Sequence, residues 1–301
     1  MNIAVLTSGG DAPGMNALIS NVVSLAEENN HKVFAFRCGY QGLVENDILR
    51  LTSDLTDNIF HLGGSYIKSF RSSDFTTDEG FEKALKNLQN NDIDVLIVSG
   101  GDGTLKGAIK LSQNGVNIIY VPSTIDNDLH YTERSLGFDS ALNSAVDYIE
   151  KIKMTMLSMN RIFICEVMGR YSPELAINCA YATNATYLIE SKKDYDEAKI
   201  LKVFKDYLNA GKNSPFIIVR ENSININKLA QLLQNEFDIE TRATVVGYVQ
   251  RGSSPSVCDR ILARQFAELA IKNINDSTYN VALGVKDNLI CNFNLNKINK
   301  K

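Results

Sequence analysis

The chain has 301 residues, 44% of them hydrophobic and 22% charged, which is ordinary globular composition and enough length for two domains. A formal net charge of −4 argues against a broad surface for nucleic acid or anionic membrane. No apolar run approaches the roughly 20 residues of a membrane span, and Met1–Thr7 lacks the basic start and apolar length of a secretory leader, so a cytoplasmic protein is expected. The five cysteines (Cys38, Cys165, Cys179, Cys258, Cys291) form no CxxC pair and no zinc-spaced cluster. Three of them lie in or beside apolar segments and read as buried thiols, which suits a reducing cytosol. Lys297, Lys300 and Lys301 read as a solvated tail.

In chain order, residues 2–6 read as a buried strand, followed by a turn at Ser8-Gly9-Gly10-Asp11 and a helix over 16–28 with Ala17, Ile19, Val22, Val23, Leu25 and Ala26 on its apolar face. Strands are expected at 32–36, 94–98 and 116–121, and helices at 81–89 and 105–112. A long amphipathic helix over 139–152, capped by Asp139 or Ser140, marks a domain boundary near 138. Further strands are expected at 161–168, 215–220 and 241–248. This alternation predicts an α/β fold with mainly parallel sheets.

Three glycine- or carboxylate-bearing segments follow apolar runs. Gly9-Gly10-Asp11-Ala12-Pro13-Gly14-Met15-Asn16 opens a helix, as a phosphate cradle does, and equally as a tight strand-to-helix turn does. It is no Walker A motif, since no Gly-Lys-Ser/Thr follows. Gly100-Gly101-Asp102-Gly103-Thr104 repeats the pattern after five apolar residues; Gly101 and Gly103 would admit a polyphosphate and Asp102 would hold Mg²⁺ directly or through water. The same pentapeptide resembles the nucleotide site of NAD kinases and diacylglycerol kinases. Thr124-Ile125-Asp126-Asn127-Asp128 offers two carboxylates to share the work of base and metal ligand, although local composition alone favours an Asx-rich turn. Arg161, Arg170, Arg242 and Arg251 lie at predicted strand ends beside glycines. Each alone reads as a surface ion-pair partner, and together they suit phosphate oxygens.

Taken in order, residues 6–17, 100–104, 124–128, 166–171 and 247–260 resemble the bacterial-type, ATP-dependent 6-phosphofructokinases along nearly the whole chain. The resemblance implies two Rossmann-like α/β/α domains with the active site in the cleft between them: 1–138, completed by 252–301, for nucleotide and Mg²⁺, and 139–251 for the sugar phosphate. It implies phosphorylation of the 1-hydroxyl of fructose 6-phosphate by ATP. Asp126 matches the catalytic base and Asp128 its supporting carboxylate, while Thr124, Arg71 and Arg161 meet charge on the transferring group. Gly10, Tyr40, Arg71, Ser72, Gly101, Asp102, Gly103 and Thr104 match positions around the nucleotide, and Asp102 matches the Mg²⁺ contact. Thr124, Asp126, Arg161, Met168, Gly169, Arg170, Glu221, Arg242, Tyr248 and Arg251 match sugar-phosphate contacts. Arg161 and Arg242 match residues that reach a neighbouring subunit's site, which implies a homotetramer.

Departures from the family pattern carry their own expectations. Tyr248 stands where most ATP-dependent members have histidine, so it can hydrogen-bond a phosphate without becoming a cation. Lys68 replaces a small residue, and Thr76 and Phe81 replace basic residues flanking adenine. Ser20, Ser24 and Ser53 replace basic effector-site residues and Thr186 an acidic one, while Lys153 and Lys212 remain, so regulation by ADP or phosphoenolpyruvate is expected to be weak or lost. Pyrophosphate-dependent relatives carry Asp at the place of Gly103 and Lys at that of Ser123, which favours ATP here. The alternatives are a pyrophosphate-dependent enzyme, an NAD or lipid kinase, and a non-catalytic sugar-phosphate sensor.

Overall fold

The structure, a computed structural model, describes residues 1–298. Lys300 and Lys301 of the expected tail lie outside the described residues, while Lys297 belongs to a short 3₁₀ turn, Leu295–Lys297. Eleven strands occur among the described residues: β1 (Asn2–Ser8), β2 (Lys32–Phe36), β3 (Ile48–Leu51), β4 (Val95–Gly100), β5 (Ile118–Pro122), β6 (Ile162–Val167), β7 (Tyr187–Ile189), β8 (Phe216–Arg220), β9 (Thr241–Val245), β10 (Val281–Lys286) and β11 (Leu289–Asn294). The chain divides into two units, residues 1–140 with 251 onward, and Ala141–Gln250.

The first unit is a seven-stranded sheet in the order β11-β10-β5-β4-β1-β2-β3. Its central strands run parallel, and the β2–β3 and β10–β11 pairs are antiparallel. Strands β4 and β5 are buried along their whole length, as expected where helices cover both faces. On one face, the helices Met15–Glu28 and Val257–Asn275 bring Leu18, Val22, Phe266 and Ile271 onto the sheet. On the other, Asp78–Asn90 and Asp102–Gln113 bring Leu88, Leu105 and Leu111. Each such side chain contributes about 1.5–3 kcal/mol by leaving water. The chain runs outward from β1 to β3 and returns to β4 on the opposite side of β1. The sheet therefore reverses direction between β1 and β4, where open α/β sheets take their ligands at strand carboxyl ends.

The second unit is a parallel four-stranded sheet, β7-β8-β6-β9, packed through Ile164, Ile189, Phe204, Ile217, Leu229 and Leu233. The strand expected over 241–248 ends at Val245: Gly247, at φ 59°, leaves the extended path and Gly247–Gln250 turns as a 3₁₀ helix. Of the cysteines, Cys165 and Cys179 are buried, their thiols pushed up to about 12 by burial, whereas Cys258 is exposed and Cys38 and Cys291 are half-buried.

The long helix begins at Phe138, so Asp139 and Ser140 lie inside its first turn, past the N-cap position expected of them. Asp259, 2% exposed, caps it from a distance in sequence: its carboxylate accepts from the backbone N–H of Gly137 at 3.0 Å and of Ser140 at 2.8 Å, and from the Ser140 hydroxyl. Ser256 in turn caps the helix that carries Asp259, accepting from its N–H at 3.2 Å. Asp259→Ala would strand those donors in a dry place. At about 1–3 kcal/mol for a donor left unsatisfied, the variant should lose roughly 3 kcal/mol, read as a lower urea midpoint with unchanged slope.

Candidate active site

Both glycine turns grow from adjacent strands at the reversal point, with Ser8 of β1 paired to Gly100 of β4. Close approach explains Gly100: a Cβ there would stand 2.5 Å from the Ser8 carbonyl oxygen and 2.5 Å from Thr104 Oγ1. Thr104 Oγ1 donates to that same Ser8 carbonyl at 3.0 Å. From beneath, the buried Tyr120 hydroxyl donates to the Gly100 carbonyl at 2.5 Å, with the Gly101 carbonyl at 3.0 Å. The Tyr40 hydroxyl donates to the Thr104 carbonyl at 2.7 Å. Tyr40 is 4% exposed and stacks on Phe75 with ring centroids 4.1 Å apart, so it braces the turn from the core and offers a nucleotide no free hydroxyl. Phe81 joins that cluster edge-on to Phe75, so it belongs to the core.

Asp102 and Gly103, in the first helical turn, are exposed. Asp102 pairs with Lys106 at 2.6 Å, an exposed i,i+4 contact worth about 0.3–0.5 kcal/mol and readily given up to another cation. A Cβ at Gly103 would meet nothing within 4 Å, so open space lies above it. Ser123 does not share that space. It is 1% exposed and its hydroxyl bonds Ser99 at 2.7 Å.

Thr124–Asp128 follows β5, the next strand outward. Thr124 Oγ1 accepts from the Asp126 N–H at 3.2 Å, and Ser135, whose hydroxyl donates to the Thr124 carbonyl at 2.7 Å, ties the segment down. Asn127 takes φ 46° and accepts the Ser135 N–H at 2.8 Å, so it shapes the turn that separates the two aspartates. Thr124, Asp126 and Asp128 are half-buried, and a Cβ on Gly101 would sit 3.5 Å from Thr124 Cβ, so this segment borders the glycine turn. Burial pushes the Asp128 carboxyl up and the charge of Asp102 adds to the rise, while His130 opposes it. Among the described residues no three His, Cys, Asp or Glu side chains gather for a metal. Mg²⁺ asks for less, one or two carboxylates with waters and phosphate oxygens, and Asp102 with Asp128 fits that demand.

The first glycine turn carries an unexpected neighbour. Arg251, expected among the sugar-phosphate contacts, falls within the first unit and donates from Nη1 to the Asp11 carbonyl at 2.9 Å. A Cβ on Gly10 would stand 2.5 Å from that Nη1. Since the obstacle is the tip of a flexible side chain, Gly10→Ala should fold normally yet displace the guanidinium. If Arg251 meets a phosphate as the family resemblance implies, KM for the phosphate-bearing acceptor should rise about tenfold, a 1.4 kcal/mol loss, with the melting temperature held. Arg71 is exposed, and the Ser72 hydroxyl donates to Gln41 at 2.6 Å while accepting the Phe75 N–H.

In the second unit, Met168, Gly169 and Arg170 follow the carboxyl end of β6, and Glu221 follows β8. The Gly169 N–H donates to Glu221 at 3.3 Å and the Met168 N–H to Gln250 at 3.3 Å. Burial raises the Glu166 carboxyl, with Glu221 adding to it. The Arg220 Nε is buried without a hydrogen-bond partner in the same turn. Tyr248, 82% exposed, presents its hydroxyl to solvent. Arg161 and Arg242 are elsewhere. Ile162 pairs with Thr241, so both arginines stand at the amino ends of β6 and β9, about 20 Å of strand from Met168. Sequence reading passed over the residue that joins them, Glu240, which binds both guanidiniums.

A parallel sheet with glycine turns at its reversal point, bordered by paired carboxylates, is the architecture of an α/β phosphotransferase. The phosphofructokinase family model matches residues 2–274. An ATP-dependent 6-phosphofructokinase of Lactobacillus gasseri is 37% identical over 286 residues, covering 95% of this chain and 90% of that protein. The phosphofructokinase of Saccharomyces cerevisiae superposes with a TM-score of 0.89 at 29% identity, covering 99% of this chain, which spans 45% of the yeast chain's length. A pyrophosphate-dependent phosphofructokinase of Marinobacter aquaeolei shares the fold at 20% identity, with a TM-score of 0.87 and 100% and 84% of the two chains covered. The chain belongs to the phosphofructokinase family.

Proposed function

We propose that the chain is an ATP-dependent 6-phosphofructokinase of the cytoplasm, moving the γ-phosphoryl group of ATP to the 1-hydroxyl of fructose 6-phosphate. The observation that carries this reading is the meeting, at one reversal point, of two glycine turns and the Thr124–Asp128 segment, with open space over Gly103 for the rest of a nucleotide. The L. gasseri relative bears the same ATP-dependent name.

In this reading the Gly100–Thr104 turn, braced by Tyr40 and Tyr120, takes the donor's phosphates. Asp126 accepts the proton of the 1-hydroxyl as that oxygen forms its bond to the γ-phosphorus and the bond from that phosphorus to the bridging oxygen breaks, releasing ADP. Arg71 and Thr124 meet the charge on the transferring group. Met168, Gly169, Arg170 and Glu221 orient the sugar, and Arg161, Arg242, Tyr248 and Arg251 hold its 6-phosphate. Asp102, with Asp128 beside it, would hold Mg²⁺, which would supply countercharge to the donor's phosphates.

Arg161 and Arg242 stand a strand's length from Met168 and Glu221, which supports their serving a neighbouring subunit in a homotetramer. Weak effector control is supported by what surrounds the replaced basic positions. The Ser53 hydroxyl donates to Glu27 at 2.6 Å, Ser24 lies 3.4 Å from Glu28, and Lys153 is given to Glu150 and the Thr183 carbonyl. Carboxylates beside Ser24 and Ser53 repel the phosphates of ADP or phosphoenolpyruvate. Formation of fructose 1,6-bisphosphate from fructose 6-phosphate, ATP and Mg²⁺ tests the activity. Hyperbolic kinetics insensitive to ADP support the regulatory part, and sigmoidal kinetics abolished by ADP would contradict it.

A further inference from the structure

Glu240 lies just before β9, one residue from Thr241, whose partner across the sheet is Ile162. That register sets Glu240 beside Arg161. The Glu240 carboxylate accepts from Arg161 Nε at 2.6 Å and Nη2 at 2.5 Å through one oxygen, and binds Arg242 Nη2 through the other. One carboxylate thus holds two guanidiniums side by side at the same sheet edge. Arg161 is 20% exposed at its side chain, and its Nη1 is turned onto the Met159 sulfur at 3.0 Å.

Two guanidiniums this close repel each other, and each carries a long, rotamer-rich side chain. A carboxylate between them lowers the repulsion and fixes both planes. It leaves the trio with one net positive charge and several N–H groups unused, since each guanidinium has five. A phosphate monoester arriving at such a pair meets donors already ordered, and the ordering cost falls on folding rather than on binding.

We propose that Glu240 is the positioning residue of a two-arginine receptor for the sugar's phosphate. This rests on the functional reading above, in which Arg161 and Arg242 contact fructose 6-phosphate. Glu240→Gln keeps the size and a hydrogen-bond acceptor and removes the charge that holds the pair.

The test uses the full chain in its native assembly and compares it with Glu240→Gln, Arg161→Ala and the double variant. KM for fructose 6-phosphate in Glu240→Gln is expected to rise about tenfold, with KM for ATP and kcat within about twofold. Because Glu240 acts through the arginines, its effect should shrink toward none in the Arg161→Ala background. Calorimetric titration with fructose 6-phosphate should show the same loss of affinity. An unchanged KM and affinity would overturn the proposal, as would a lower KM, which would make Glu240 a competitor of the phosphate. Equal effects in both backgrounds would overturn it too, since a general loss of stability does not pass through Arg161. If the unsubstituted chain makes no product, the functional reading fails, and the calorimetric comparison still judges Glu240.

Discussion

Replacing Asp126 with serine is expected to lower kcat by about 10²–10⁴-fold, the usual contribution of a positioned general base, with calorimetric binding of fructose 6-phosphate nearly unchanged. The expectation follows from where the residue stands. Asp126 is half-buried on a segment whose geometry is fixed by neighbours: Thr124 accepts its N–H, Ser135 pins the Thr124 carbonyl, and Asn127 turns the chain at φ 46°. Serine leaves those backbone contacts in place and removes the carboxylate proposed to take the proton. Since the proposed reading gives most of the sugar's contacts to other residues, affinity and turnover should separate. Full activity in the variant would move the base elsewhere. Asp128, whose carboxyl burial pushes upward, would then be the next residue to replace.

Gly103→Asp is expected to impair use of ATP severely without harming the fold. A Cβ at this position meets nothing within 4 Å, so the carboxylate has room, and the melting temperature should stay within about 2 °C. The new charge would enter the open space proposed for the rest of the nucleotide, where it would face the α-phosphate. Two like charges about 4 Å apart at an effective dielectric of 20 repel by about 4 kcal/mol, so kcat/KM for ATP should fall by about 10²–10³-fold. An unchanged kcat/KM would mean that the donor's α-phosphate does not pass over Gly103.

Much of the scaffold was legible because buried parallel strands announce themselves as continuous apolar runs. The strand over 32–36 matches β2, and the glycine turns fall directly at the carboxyl ends of β1 and β4. Side chains brought together from distant parts of the chain were less legible. Asp259 caps a helix that begins 121 residues earlier, and no local signal at Asp139 or Ser140 reveals it. Arg251 reaches the first glycine turn from the other end of the chain. Tyr40 matched a nucleotide position, yet its aromatic ring was better satisfied by stacking on Phe75 and bracing Thr104. The burial of the Ser123 hydroxyl against Ser99 also joins the ends of two neighbouring strands, 24 positions apart, and has no local signal. Glu240 sat one residue from a predicted strand between two arginines already singled out, and only the register of β6 with β9 makes it their common partner. The β10–β11 hairpin did carry a local signal: Asp287 and Asn288, both at positive φ, form the two-residue turn that such hairpins favour.

The most direct test of the central claim supplies fructose 6-phosphate and Mg²⁺ with either ATP or pyrophosphate as sole phosphoryl donor and measures fructose 1,6-bisphosphate. Product with ATP and none with pyrophosphate is the predicted result. Product with pyrophosphate alone would contradict the nucleotide reading of Gly103, and product with neither would contradict the proposed phosphofructokinase activity itself.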